Sequence, residues 1–135
     1  MDLEIQPLRL AADARGIVYE PITAAEMPAQ QNAHVVYTRP GGVRGNHYHE
    51  HGTEIMSVMG PALVRIRDPR GIRDYPIAAR EVWRFTLPPR VSHAILNTGT
   101  ETGVIVSFNS WPHDPAKPDV VRDVLIEPPT ATAHG

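Results

Sequence analysis

The chain has 135 residues, 41% hydrophobic and 21% charged, with a formal net charge of −2 at pH 7. That balance fits an ordinary water-soluble globular protein and gives no support for a broadly basic surface that would bind nucleic acid or membrane. There is no cysteine, which excludes disulfides and thiolate metal sites; with neither a signal peptide nor a membrane-length apolar run, a cytoplasmic location is expected.

Fourteen prolines and ten glycines interrupt short apolar runs, which predicts one all-β domain over 1–135 rather than a helical fold. In chain order, a strand is expected over 34–39 (HVVYTR), followed by a Gly-rich turn and a strand over 54–59 (EIMSVM). ALVRIR (62–67) alternates, with Val64 and Ile66 on one face and Arg65 and Arg67 on the other. A turn at Asp68-Pro69-Arg70-Gly71 leads into 72–77. The next strand, 81–87, sets Val82, Arg84 and Thr86 against Trp83, Phe85 and Leu87. Arg65, Arg67 and Arg84 are read as a solvated strand face. After Pro88-Pro89 come HAILN (93–97), a hairpin-like turn at Asn97-Thr98-Gly99, and GVIVSFN (103–109). The tail, 110–135, starts extended and proline-rich, and VVRDVLIE (120–127) reads as strand or short helix. It is expected to lie across the barrel or a neighbouring subunit, with Trp111 as an anchor. Strands at this spacing predict a sandwich or barrel.

The stretch GGVRGNHYHEHGTE (41–54) carries the chemistry. On a strand, residues two apart share a face, so His47 and His49 can converge on one metal ion. Glu54 can supply a carboxylate from the next turn, and His93, far downstream, is a fourth candidate. Imidazoles plus one carboxylate suit zinc, iron, nickel or manganese better than calcium or magnesium.

These residues resemble the cupin superfamily, whose barrel is a double-stranded β-helix or jelly roll. Gly41, His47, His49 and Glu54 fall on its first motif, with Gly60 one residue early. Pro88, His93 and Asn97 fall on the second, where Val82 and Arg90 stand at usual glycine positions. The match spans about 34–109. It implies a metal site at His47, His49, Glu54 and His93.

A narrower resemblance links RGNHYHEHGTEIMSVMGPALVRIRD, LPPRVSHAILNTG and FNSWPHDPAKPD to the C-terminal cupin domain of bifunctional capsular polysaccharide UDP-sugar epimerase/reductase enzymes. In that family the domain binds zinc and epimerises a UDP-4-keto sugar at C3 before a reductase domain acts. The resemblance implies a nucleotide-sugar substrate, a zinc ion (Fe2+ or Ni2+ being the other candidates), a homodimer, and a separate reductase as partner. DARGIVYEPI (13–22) and VRGNHYH also resemble metal-free dTDP-4-keto-sugar epimerases and isomerases, in which the histidine at position 47 would be the base and Arg44 a diphosphate contact.

Epimerisation beside a ketone removes and returns an α-proton through an enolate, so a base must reach C3. The candidates are His51, Tyr48, Glu50 and Tyr37. His51 keeps inward parity if the strand runs on, although Gly52 suggests an end there, whereas Tyr48 should face outwards. Arg44 and Arg90 are the expected diphosphate contacts. Two rival readings share the same ligand set or fold: a non-haem iron or nickel dioxygenase, and a non-catalytic cupin that binds a sugar or a partner protein.

Overall fold

Strand follows strand, as the proline and glycine punctuation requires. The computed structural model describes residues 2–129. Before the metal-ligand motif lie β1 (Glu4–Pro7), β2 (Ala11–Asp13), β3 (Gly16–Val18), a 3-10 turn (Met27–Ala29) and β4 (Asn32–Thr38). The motif spans β5 (Val43–His49) and β6 (Glu54–Met59), and β7 (Ala62–Asp68), β8 (Gly71–Ile77) and β9 (Val82–Leu87) follow. The last three are β10 (Ser92–Asn97), β11 (Gly103–Asn109) and β12 (Val120–Arg122). Among the described residues no helix is long and apolar enough to cross a membrane.

Two five-stranded antiparallel sheets face each other, ordered β1-β9-β6-β11-β4 and β12-β5-β10-β7-β8, with β2 and β3 forming a separate ribbon. From β4 to β7, and again from β8 to β12, each strand crosses to the opposite sheet. This is the jelly-roll pattern, and it sets β5 and β10 in one sheet against β6 and β11 in the other. Only β7 and β8 in this core are joined as a hairpin, across the Asp68–Gly71 turn.

β6 and β11 match the strands read from the sequence. The Asn97-Thr98-Gly99 turn does not close a hairpin; it carries the chain from β10 across to β11 in the other sheet. Asn97 fixes that crossing. Its Nδ2 donates to the carbonyls of Thr38 (2.9 Å) and Glu101 (2.8 Å), and its Oδ1 accepts from the Gly99 amide. The 120–127 segment opens as strand, not helix, and buries Ile126 at its end. Of the expected tail, residues 130–135 lie outside those described.

The core lies between the sheets and includes Met56, Val58, Val64, Ile66, Phe85 and Leu87. Each such side chain contributes about 1.5–3 kcal/mol on leaving water. In β7 the expected alternation holds: Val64 and Ile66 are buried, while Arg65 and Arg67 pair outside with Asp74 and Asp123. Arg84 is a correction. It is only 8% exposed, and its Nη1 donates to Glu26 Oε1 at 3.0 Å, from the residue that leads into the 3-10 turn. Alternation within a strand cannot reveal a partner that far away in the chain.

Candidate metal centre

The geometry of the site begins with a bulge in β5. His47 pairs with His93 and Gly45 with Ala94, so Asn46 is an extra residue in the ladder. Gly45 (φ 82°) and Asn46 (φ 58°) are both left-handed, and asparagine is one of the few non-glycine residues that accept this conformation. The Asn46 side chain turns to the tail. Its Oδ1 accepts from the amides of Leu125 (2.9 Å) and Ile126 (3.1 Å), and its Nδ2 donates to the Ile126 carbonyl (2.9 Å). With the bulge anchored, His47 and His49 both face the space between the sheets.

Four donors meet there: one atom each from His47, His49, Glu54 and His93, all within 4.8 Å of one another. Glu54 Oε1 lies 2.8 Å from His49 Nε2 and 3.2 Å from His93 Nε2. Its second oxygen accepts from Ser107 Oγ at 2.8 Å. His93 Nδ1 lies 3.2 Å from the Val91 carbonyl, which leaves Nε2 turned inwards.

Protonation follows from these contacts. Burial pushes the Glu54 carboxyl up, but the His93 charge and the hydrogen bonds from His49 and His93 outweigh it and hold it well below the carboxylate range. Burial pulls His93 down, and the Glu54 carboxylate more than reverses this, leaving it raised. His47 is lowered to about 4, by burial first and then by His93.

The set fits a divalent transition metal. Neutral imidazole nitrogens and one ionised carboxylate are the donors such ions take, and ligand bonds of about 2.0–2.2 Å place donors about 3–4 Å apart. Glu54 already stands at about that spacing from His49 and His93, 2.8 and 3.2 Å, and all four atoms lie within 4.8 Å of one another. Two imidazoles share one buried carboxylate oxygen, and a bound dication would take the place of the His93 proton that faces Glu54 in the metal-free cluster.

The cluster forms the floor of a cavity of about 590 Å³, within the range of about 300–1,000 Å³ typical of small-molecule sites. Val36, Met56, Ile95 and Ile105 give it apolar walls; His34 enters from β4, and His113 and Asp114 enter from the tail.

The expected ligands therefore come together, but the other expected site residues are scattered. Arg44 lines the cavity, with Nη2 bonded to the Tyr37 carbonyl (2.7 Å) and Nε to Thr38 Oγ1 (3.3 Å). Arg90 does not line it. Its backbone is left-handed (φ 68°), as suits a usual glycine position, and its guanidinium bonds Glu50 at 2.8 and 3.1 Å. His51 does not line it either. β5 ends at His49, so the pleat that would have turned His51 inwards is lost; its Nδ1 bonds Asp119 Oδ1 (2.8 Å) and its ring stacks on Trp111 (4.7 Å). Tyr48 also stays outside the lining.

Sequence reasoning missed His34, Ser107, Asn109 and Asp119. The first three were within reach, since Asn32, His34 and Val36 on β4 pair with Asn109, Ser107 and Ile105 on β11 and all six line the cavity. Asp119 carries no local signal at all. It is recruited by the pairing of β12 with β5.

A jelly roll whose facing sheets bring an HxH pair, a glutamate and a distant histidine together defines a cupin. The polysaccharide biosynthesis C-terminal domain family matches residues 11–121, and the chain belongs to it. Comparison with curated proteins gives no match. Among solved structures, the capsular polysaccharide assembling protein CapF from Staphylococcus aureus is 26% identical with a TM-score of 0.64, over 88% of this chain and 33% of CapF. The chain thus spans about a third of that protein's length. ChmJ, a 3'-monoepimerase from Streptomyces bikiniensis in complex with dTDP-quinovose, shares 19% identity at a TM-score of 0.69, over 84% of this chain and 66% of that one. QdtA, a sugar 3,4-ketoisomerase from Thermoanaerobacterium thermosaccharolyticum in complex with TDP, shares 15% at 0.67, over 90% and 88%. At these two identities the likeness is one of fold.

Proposed function

We propose that this cupin is a metal-dependent epimerase or isomerase of a nucleotide-linked 4-keto sugar, with a divalent metal, zinc in this reading, held by His47, His49, Glu54 and His93. The observation that carries it is the placement of this donor set on the floor of an open cavity with apolar walls. The fold shared with a sugar epimerase and a sugar ketoisomerase supports the choice of substrate class.

Bound in this set, the metal supplies Lewis-acid polarisation of the C4 carbonyl and stabilises the developing oxyanion. The chain supplies the rest. Met56, Ile95 and Ile105 keep the reacting carbon out of bulk water. His34 lies on the cavity wall outside the ligand set and, in this reading, takes the C3 proton, the role expected of His51 from the sequence. The C3–H electron pair moves into the enolate, water at the open mouth supplies the proton that returns on the other face, and the hydroxide it leaves takes the proton from the His34 imidazolium. Arg44 has guanidinium donors left for a diphosphate once its two bonds to β4 are counted. In the same reading the product passes to a separate reductase and the subunit works as a homodimer. The exposed outer side of edge strand β4, with Val35 61% and Tyr37 67% accessible, supports the pairing.

The test is elemental analysis of untagged protein, followed by incubation of a UDP-4-keto sugar in D2O with NMR detection at C3. Near-stoichiometric zinc with zinc-dependent deuterium incorporation is the expected result. No bound metal, or iron that supports oxygen consumption without exchange at C3, overturns the reading.

A further inference from the structure

The Asp119 carboxylate joins three structural parts. It precedes β12, which pairs with β5 and sets Val120 beside His49. Its Oδ1 accepts from the His51 amide (2.9 Å) and His51 Nδ1 (2.8 Å), and its Oδ2 accepts from the Gly52 amide (2.8 Å). The Asp119 carbonyl accepts from the Glu50 amide at 2.8 Å. The side chain is only 8% exposed. One residue thus fastens the end of the tail to the turn between the HxH strand and Glu54, and the tail it fastens is a wall of the cavity.

The fourth neighbour of this carboxylate is His49. His49 Nε2 faces Glu54 in the donor cluster, whereas Nδ1 faces Asn109 Nδ2 at 3.4 Å and Asp119 Oδ2 at 3.9 Å. Beside an ionised Glu54, Nε2–H donates to the carboxylate and Nδ1 accepts from the Asn109 amide. A ring that ligates through Nε2 must carry its proton on Nδ1 instead. Asn109 does not take that proton, because it presents Nδ2, a donor, to the ring, and its Oδ1 is turned to the Trp111 amide at 2.8 Å. The acceptor within reach is Asp119 Oδ2, a few tenths of an ångström to one ångström beyond a hydrogen bond.

We infer that Asp119 is the positioning residue for His49: on metal loading it accepts Nδ1–H and draws the 110–119 segment inwards, so that metal occupancy sets how firmly the cavity wall is seated. This rests on the metal centre proposed above. A partner carboxylate on the distal nitrogen fixes a ligating histidine's tautomer and orientation, and its loss typically weakens metal binding about 10–100-fold. Here the same bond also reaches the tail.

Zinc itself is the probe, on the whole chain. Zinc affinity is measured by chelator competition in wild type, Asp119→Asn and Asp123→Asn. Asp123 pins the same tail elsewhere, to Arg67 Nη1 (2.6 Å) and Ser92 Oγ (2.5 Å), and faces no ligand. Asp119→Asn is expected to weaken zinc at least about 10-fold, and Asp123→Asn less than about 2-fold. Hydrogen exchange of 110–122 should slow on adding zinc to wild type and to Asp123→Asn, and not to Asp119→Asn. Long-range 1H–15N NMR of zinc-loaded wild type should give the Nδ1–H tautomer of His49, a readout that stands even if a variant fails to fold. Equal zinc affinity in wild type and Asp119→Asn, equal weakening in both variants, or an Nε2–H tautomer overturns the inference. A wild type that binds no zinc overturns the metal centre with it; zinc binding unaffected by Asp119→Asn overturns this inference alone.

Discussion

Gly45 lies directly against the backbone of His93: a β-carbon at position 45 would stand 2.6 Å from the His93 carbonyl oxygen. The two strands touch there because the β5 bulge folds Gly45 towards β10, and φ of 82° at this residue already disfavours any side chain. Gly45→Ala therefore forces strand β5 off β10 at the point where His47 and His93 face each other. The expected outcome is a loss of about 2–4 kcal/mol, from the left-handed backbone and the overpacking together, with zinc binding weakened in step. Urea unfolding and chelator competition on the same samples check both halves. Unchanged stability in this variant would mean that the bulge is not what positions the histidines.

Ser107 tests the support of the ligand set rather than its frame. Its hydroxyl is buried and donates to the Glu54 oxygen that no imidazole touches. Ser107→Ala removes one charge-assisted hydrogen bond, worth about 1.5–3 kcal/mol, and leaves a buried carboxylate short of a donor. Zinc affinity should fall about 10-fold while the fold remains intact. Titration against a competing chelator measures it, and a change below 2-fold would show that Glu54 is oriented without Ser107.

The distribution of what could be read from the sequence follows from the distances over which the structure is determined. His47, His49 and Glu54 were legible because period-two alternation and a short turn place them, and β6 and β11 because their apolar runs are bounded by glycine and proline. His93 was legible only through its resemblance to a second motif, since nothing local in LPPRVSHAILN points at a metal. The bulge at Gly45-Asn46 was hidden because its partner, the tail at 123–126, lies about eighty residues away. His51 stands outside the cavity for a related reason. Parity would turn it inwards only if the strand ran on towards Gly52, and Asp119 captures it just past the end of β5.

The protonation of His47 predicts a pH dependence in chelator-treated, metal-free protein. His47 is lowered to about 4 in the fold, against an ordinary value of about 6.5. Between those values the unfolded chain holds the proton that the fold refuses. Stability is therefore full above about pH 6.5 and is lost as pH falls towards 4. The difference corresponds to about 3 kcal/mol at most, and to about 2 kcal/mol after allowing for solvent screening on the open side of the ring. His93 is shifted the other way, so it stays protonated in both states across this window and its own contribution is lost only as pH rises through its raised value. Glu54 adds to the acid loss only below the ordinary carboxylate range. His47→Gln should flatten the stability profile between pH 6.5 and 5. A variant whose urea midpoints track those of wild type across that interval would assign the slope elsewhere.

The last prediction separates His34 from His51, two of the histidines outside the ligand set. His34 lies on β4 between Asn32 and Val36 and lines the cavity, while His51 sits outside it on Trp111. If proton transfer at C3 belongs to the group that can reach the sugar, His34→Asn should lower C3 deuterium incorporation about 10²–10³-fold, the usual loss for a general base. Its zinc content should be unchanged and its KM should move by less than about 3-fold, because the ring is not asked to bind the ground state. His51→Asn should change the exchange rate by less than about 3-fold and act mainly on the seating of the tail, since it removes one of the three donors to Asp119 and leaves both backbone amides. Parallel exchange kinetics on the two variants decide the matter. A large rate loss in His51→Asn with little change in His34→Asn would return the proton to the mouth of the cavity, and would require the tail to swing His51 inwards once the sugar is bound.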